Sequence, residues 1–324
     1  MTRSDAERQP LLRSVELPLT GMARGIAIAG AFVLLVLFIL TGTNALGQAM
    51  LWENAHWTAS IIAGATLAYL GYRRAPAEER AVRGGLAAGL GLYLVGQLAW
   101  DLQGILGIVT IPAISDVFFL SSTVPLTWGI VSGMRQRLSP ALRTAFTIDS
   151  TTLVVLVTLI IVVAFGADAL ITADPLAGAL LLLYPISFLS AAGIGALGGL
   201  KLRVGPAWLG INALLAGLAL NGLTWVLWVQ EAVTEFPAPG SVVNYAFSVA
   251  ILAVGLGAYR LSLHKPAGPV FERLATAVVF YFPIPRGGGS VRPPLRAAQL
   301  CGRRGRAGAR RRGRPAPPGL EHGR

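Results

Sequence analysis

Long apolar blocks, not short amphipathic stripes, order this chain. Eight stand out, at 25–43, 51–72, 84–104, 111–134, 147–165, 175–200, 207–229 and 241–261. Each is close to the roughly 20 residues with which a helix crosses the hydrocarbon core of a bilayer. Polar residues gather between the blocks, and their charge alternates. The connections after the second, fourth and sixth blocks carry Arg73, Arg74, Arg80 and Arg83, then Arg135, Arg137 and Arg143, then Lys201 and Arg203. The segment before the first block holds Arg3, Arg8, Arg13 and Arg24, and the eighth is followed by Arg260 and Lys265. The other four connections hold no Lys or Arg, and their charges are acidic: Asp168, Asp174, Glu231 and Glu235. Cationic connections resist translocation, which makes the basic side cytoplasmic. One miscounted helix would break the alternation downstream of the error. The pattern predicts eight spans in the inner (plasma) membrane with both termini in the cytoplasm.

Composition agrees with this reading. Hydrophobic residues make up 54% of the chain and charged residues 13%, against about 25% charged in a soluble domain. The expected fold is all-α, a polytopic membrane helical bundle in the lipid bilayer. A cytoplasmic N-terminal segment is expected at 1–24, the eight-span domain at 25–265 and a disordered basic tail at 266–324. The first block is not read as a signal peptide, because its polar leader is long and its apolar run exceeds the usual h-region. The net charge of +12 is not read as a nucleic-acid signature. Nearly half of the Lys and Arg lie beyond Pro269, and the rest sit at block ends, where topology accounts for them.

Catalytic chemistry is hard to find. Cys301 is the only cysteine, so there is no intrachain disulfide and no Cys-rich metal site. His56, His264 and His322 lie in separate regions, which gives no paired haem ligands at depth. Phosphate loops, zincin motifs and serine elbows do not occur. Neither an enzyme nor a cofactor is expected of this chain.

A shift of 128 residues aligns distinctive positions. It carries Arg73 to Lys201, Trp100 to Trp228, Asp116 to Asn244, Phe119 to Phe247, Gly129 to Gly257 and Arg137 to Lys265. An offset of four spans preserves direction, so a duplication of this kind would be a parallel tandem repeat about an axis along the membrane normal. The alternative is that both halves obey the same membrane rules, with Trp at interfaces and basic residues inside.

Polar side chains concentrate toward the outer ends of the blocks. The second block opens with Trp52, Glu53, Asn54, His56 and Trp57, and the third closes with Gln97, Trp100, Asp101 and Gln103. Asp116 lies just inside the fourth, Asn221, Trp225 and Trp228 toward the outer end of the seventh, and Asn244 and Tyr245 at the start of the eighth. Gln97 and Asp101 are four apart and share a helical face. A carboxylate at the depth of Asp116 is costly unless paired, hydrated or protonated. No Lys or Arg lies on the outer half, so its partner must be an amide, a hydroxyl, an indole or water. Gln97, Trp100, Asp101, Asp116, Asn221, Trp228 and Asn244 are the candidate ligand-binding residues of a shallow outer pocket. The competing reading is an interfacial aromatic belt with acidic helix caps. Asp149 is read as a helix-start carboxylate favoured by the dipole. Gly85 and Gly89 are read as a helix-packing face.

One stretch has a recognisable form. A span ending in Gly96-Gln97-Leu98-Ala99-Trp100-Asp101 leads through a Pro-containing loop to Ser115-Asp116-Val117-Phe118-Phe119-Leu120, then Pro125-Leu126, Arg143, Ile148-Asp149 and Tyr184-Pro185. This resembles the N-terminal multi-span sensory region of bacterial GGDEF and EAL (cyclic-di-GMP) signalling proteins, also seen in some histidine kinases. The resemblance covers about residues 20–265. In such regions an acidic residue often follows the Tyr-Pro pair, where Ile186, Ser187 and Phe188 stand here. It implies a sensory or input module and does not identify the signal. The candidate partners are a small-molecule or lipid-phase signal and a second copy of the chain in a homodimer. Neither a GGDEF nor an EAL motif occurs in the sequence, so the module is expected without its catalytic output domain. A small-molecule carrier built from a tandem four-span repeat, and a structural membrane protein without ligand, are the alternatives.

Beyond Pro266 a further apolar run at 274–285 stops after a dozen residues. Most of 286–324 is Arg, Gly, Pro or Ala, a composition that builds no core. Three readings are open: a tail held to anionic lipid, a nucleic-acid-binding arm, or an out-of-frame translation of GC-rich DNA. The last is preferred, because the break falls inside an apolar segment.

Overall fold

The computed structural model describes residues 18–19, 21–108, 110–172, 174–202, 209–234 and 238–262. The N-terminal segment up to residue 17, the connection residues Arg203 and Glu235, and the tail 266–324 lie outside the described residues. Eight helices follow in order: α1 (Gly21–Gly42), α2 (Ala49–Arg73), α3 (Ala77–Ile105), α4 (Ile114–Arg137), α5 (Pro140–Thr172), α6 (Pro175–Lys201), α7 (Leu209–Thr234) and α8 (Val242–Arg260). A single 3-10 turn, Ala45–Gly47, joins α1 to α2, and no strand occurs among the described residues. Seven of the eight helices are long and apolar enough to cross a membrane, and the chain is a multi-pass helical membrane protein. The remaining helix, α2, is 25 residues long but opens on Trp52, Glu53, Asn54 and His56, which dilute its apolar character. It packs against α1, α3 and α8 at the centre of the bundle.

Local chemistry sets the helix ends. Ser241 accepts from the Asn244 amide at 3.3 Å and starts α8. Asp174 accepts from the Leu176 amide at 2.9 Å, and Pro175 supplies the pre-set first turn of α6. Glu78 and Glu79 occupy the first turn of α3, where the dipole favours them. One expectation is corrected here. α5 begins at Pro140, so Asp149 lies well inside the helix and is not its starting carboxylate. It pairs with Lys201 of α6 at 2.6 Å. The stretch 140–146 is helix-compatible but polar, and a hydropathy reading starts the element too late.

Within one compact bundle, the first four helices and the last four pack in the same order, and each set is called a half below. Within the first, α1 packs on α2, α2 on α3 and α3 on α4; within the second, α5 packs on α6, α6 on α7 and α7 on α8. α4 and α5 are joined by only Leu138 and Ser139, yet they do not pack side by side. The halves meet chiefly through two pairs, α2 with α8 and α4 with α6, with smaller contacts of α3 and α1 on α8. Exchanging the halves turns each of the two main pairs into the other. The outermost helices, α1 and α5, also correspond: 11% of the most apolar window of each is buried, against 39–61% for α3, α4, α6, α7 and α8. Their large exposed apolar side chains, such as Phe32 and Ile39 on α1 and Val155 and Val163 on α5, face the hydrocarbon.

The match continues at the level of single residues. Gly89 of α3 lies against the Ser122 carbonyl and Leu126 of α4; Gly217 of α7 lies against the Ala250 carbonyl and Val254 of α8. All three positions are related by the 128-residue shift. A Cβ on either glycine would stand 2.8 Å from that carbonyl oxygen. Gly129 packs on Val82, Gly85 and Leu86, and its counterpart Gly257 packs on Leu214, the counterpart of Leu86. Two backbones can approach this closely only where a side chain is missing.

Candidate aromatic cleft between the two halves

Near the charge-poor end of the bundle, six helices surround a cleft of about 620 Å3, its open mouth included. α2 contributes Trp57, Ser60 and Ile61, and α3 contributes Tyr93, Gln97 and Trp100. Asp116 and Phe119 come from α4, Leu181 and Tyr184 from α6, Trp225 and Trp228 from α7, and Phe247 and Ile251 from α8. Spacing explains the selection. Tyr93, Gln97 and Trp100 follow one another at four and three residues along one face of α3, as do Leu181 and Tyr184 on α6, and Trp225 and Trp228 on α7.

The aromatic rings form a connected set. Trp225 stacks on Tyr184 with centroids 3.9 Å apart and planes 14° from parallel. It meets Trp228 and Phe247 edge-on at 5.4 and 4.9 Å. On the other side Tyr93 packs on Phe119 at 4.8 Å.

Asp116 is the acidic member, with 8% of its surface exposed. Its Oδ2 accepts from the Ala113 amide at 2.7 Å, which ties it to the start of α4. Its Oδ1 accepts from the Tyr184 hydroxyl of α6 at 2.5 Å. That second bond joins the two halves. Sequence reasoning could name hydroxyls as a class of partner for Asp116, but it did not name Tyr184. The Tyr-Pro pair marked the segment, and the register of α6 against α4 was missing.

The other candidates divide. Gln97, Trp100 and Trp228 line the cleft beside Asp116. Asp101 stands behind the lining: its oxygens accept from Thr58 Oγ1 at 2.6 Å and from Gln97 Nε2 at 2.8 Å. It orients Gln97 and ties α2 to α3. Asn221 is fully buried and lies beside the Tyr93 hydroxyl, one turn below Trp225. Asn244 belongs to a different cluster. Its Nδ2 donates to Glu53 Oε1 at 2.9 Å, and Glu53 Oε2 accepts from the Gly240 amide at 2.6 Å. His56 Nδ1 lies 2.8 Å from Ser248 Oγ next to this pair. Three of the seven candidates, Asp101, Asn221 and Asn244, therefore do not line the cleft: Asp101 and Asn244 bond to neighbouring helices, and the amide of Asn221 is buried without a hydrogen-bond partner among the described residues. Tyr93, Tyr184, Trp57 and Trp225 line it and were not among the candidates. Among the described residues, no three His, Cys, Asp or Glu side chains converge as a metal site requires.

The Glu53–Asn244 bond and the Asp116–Tyr184 bond occupy equivalent places. In each, the polar third residue of the fourth helix of one half reaches the second helix of the other half. The chain matches no protein-family model, no curated protein and no solved structure.

Proposed function

We propose that the chain is a membrane-embedded sensory or input module of a bacterial signal-transduction protein, and that the cleft between its halves receives the signal. The observation that carries this reading is the site's position. The cleft is walled by both halves, and the Asp116–Tyr184 bond crosses between them. A molecule bound there interacts differently with two arrangements of the halves, and that difference is what shifts a conformational equilibrium. The cleft lining is largely apolar with few polar groups, as small-molecule sites are. The motifs that resemble GGDEF- and EAL-associated input regions include Asp116 and Tyr184 themselves, which ties the resemblance to the site. The alternation of basic connections supports an inner-membrane topology with both termini cytoplasmic, so that α8 delivers the change to the cytoplasm.

The test is a fusion. A diguanylate cyclase domain joined in frame after Leu261 reports cyclic-di-GMP in cells. Asp116→Asn and Tyr184→Phe should each change output severalfold at equal membrane abundance, whereas Val163→Ala on the lipid-facing side of α5 should not. Equal output from all four proteins rejects the sensory reading. A carrier is the second reading, favoured by one observation: the cleft lies at a repeat interface, where secondary transporters place their substrate sites. Substrate-dependent flux into proteoliposomes, lost in Asp116→Asn, would select it.

A further inference from the structure

The geometry points to a quaternary ammonium group as the chemistry this cleft accepts. The inference rests on the cleft being the signal site and adds its ligand class. The charges come first. The lining holds one carboxylate, Asp116, and no Lys, Arg or His. A second carboxylate, Asp101, stands directly behind Gln97. An anionic ligand would meet two like charges and no counter-charge. A neutral apolar ligand would fill the space and leave the Asp116 carboxylate buried without a cation, a costly arrangement at this depth. A cation resolves it.

Next come the surfaces. Trp57, Trp100, Trp225, Tyr184 and Phe247 all line the cleft, and aromatic faces carry the negative end of a quadrupole that attracts cations. Trp225 is fixed by its stack on Tyr184 and its edge contact with Phe247, so the cage is pre-organised.

The kind of cation follows from the hydrogen-bond supply. A primary ammonium carries three donors and needs three acceptors. Both Asp116 oxygens already accept one bond each, from Tyr184 and from the Ala113 amide. Ser60 donates its hydroxyl to the Trp57 carbonyl at 2.7 Å. Each Asp116 oxygen keeps one lone pair, the Gln97 amide oxygen and the Tyr93 hydroxyl add acceptors, and the rest of the wall is almost wholly hydrocarbon and aromatic. A quaternary ammonium has no N–H to satisfy. It needs an acid nearby and rings around it, and the cleft offers both. Such a group can arrive on a free small molecule or on a phosphocholine lipid headgroup.

Equilibrium binding of radiolabelled choline to the purified full chain in phosphatidylglycerol nanodiscs tests this. Saturable binding should appear, and excess tetramethylammonium should displace it. The uncharged isostere 3,3-dimethylbutan-1-ol should compete at least tenfold more weakly. Asp116→Asn and Trp100→Leu should each weaken binding tenfold or more, with thermal stability recorded to confirm that both variants are folded. Nanodiscs containing phosphatidylcholine distinguish the sources: loss of choline binding there marks the lipid headgroup as occupant, and undiminished binding marks the free molecule. The inference is overturned if choline does not bind saturably, if the uncharged isostere competes equally, or if Asp116→Asn retains full affinity. Should choline fail while the cyclase fusion still responds to Asp116→Asn, the ligand class is wrong and the sensory site stands. Failure of both removes the site as well.

Discussion

At the scale of single residues, the polar side chains that look alike in the sequence do different work. Arg83 counts, by its position between two apolar blocks, as one of several topology-setting cations. Yet only 1% of its surface is exposed. Its guanidinium pairs with Glu79 Oε2 at 2.8 Å and donates to the backbone carbonyls of Tyr259, at 2.5 Å, and Leu261. Those carbonyls sit at the end of α8, where a helix has no internal donors left. Arg83 therefore closes the last turn of α8 from the side of α3. The sequence reveals the charge, but not that the end of a distant helix comes to rest on it. Replacing Arg83 by Ala should destabilise the protein by about 3–5 kcal/mol, since buried Glu79 loses its nearer cation, with Arg137 4.0 Å away, and two carbonyls at the end of α8 lose their donor. The double variant Arg83→Met with Glu79→Leu should recover part of that loss. Thermal unfolding in detergent measures both, and an Arg83→Ala variant as stable as the parent would remove Arg83 from this role. Asp116 and Tyr184 form a second pair of this kind. A double-mutant cycle with Asp116→Asn and Tyr184→Phe should give a coupling of about 1–3 kcal/mol, the range for a buried hydrogen bond to a charged group. Additive effects would mean that the bond contributes nothing across the halves.

At the scale of elements, hydropathy locates all eight helices but misjudges where they stop. α5 runs from Pro140 to Thr172, beyond the apolar block at 147–165 on both sides, because helices extend past the hydrocarbon wherever the polar flank is helix-compatible. Glycines show the opposite limit. Agreement of Gly and Ala between apolar helices is cheap evidence for a repeat, yet here the glycines mark the crossings themselves. What the sequence lacks is the partner: Gly89 and Gly217 become informative only once each is seen against the fourth helix of its own half. Replacing either by Leu should drive a side chain into the facing backbone and cost about 1–3 kcal/mol or more. The two losses should be similar, because the crossings are equivalent. Gly91, with open space around it, should tolerate the same change. A large loss at Gly91, or a loss at only one of the two crossings, would contradict the packing described. The direction of the helices is testable separately. Reporter fusions after Arg80 and Arg137 should read cytoplasmic, and one after Leu170 should read external. A cytoplasmic signal at Leu170 would break the alternation of spans.

At the scale of the whole molecule, the 128-residue offset read from a handful of matched positions corresponds to a repeated order in the packing. The halves touch chiefly through α2–α8 and α4–α6, with smaller contacts of α3 and α1 on α8, and α4 and α5 do not pack although they are consecutive. Sequence alone could not separate duplication from shared membrane rules, because Trp at an interface and Arg at a cytoplasmic end recur for reasons unrelated to ancestry. Contacts decide more, since no membrane rule requires Gly89 and Gly217 to meet the fourth helix at matched residues. Superposing the first four helices on the last four in the same direction should bring Trp100 onto Trp228 and Asp116 onto Asn244. If they match only when inverted, the repeat is not parallel. The repeated order also predicts that the covalent link between the halves is dispensable. Co-expressed fragments 1–138 and 139–324 should insert independently, associate in the membrane and co-purify, held by helix packing at α2–α8 and α4–α6. Gly64 is the sensitive point of that association: a Cβ there would stand 2.9 Å from the Ile251 carbonyl oxygen, and Gly255 packs directly against it. Gly64→Leu should abolish co-purification while leaving each fragment's insertion unchanged. Fragments that insert but never associate would show that the halves are not separable folding units. In that case the cleft between them could not work by a shift of one half against the other.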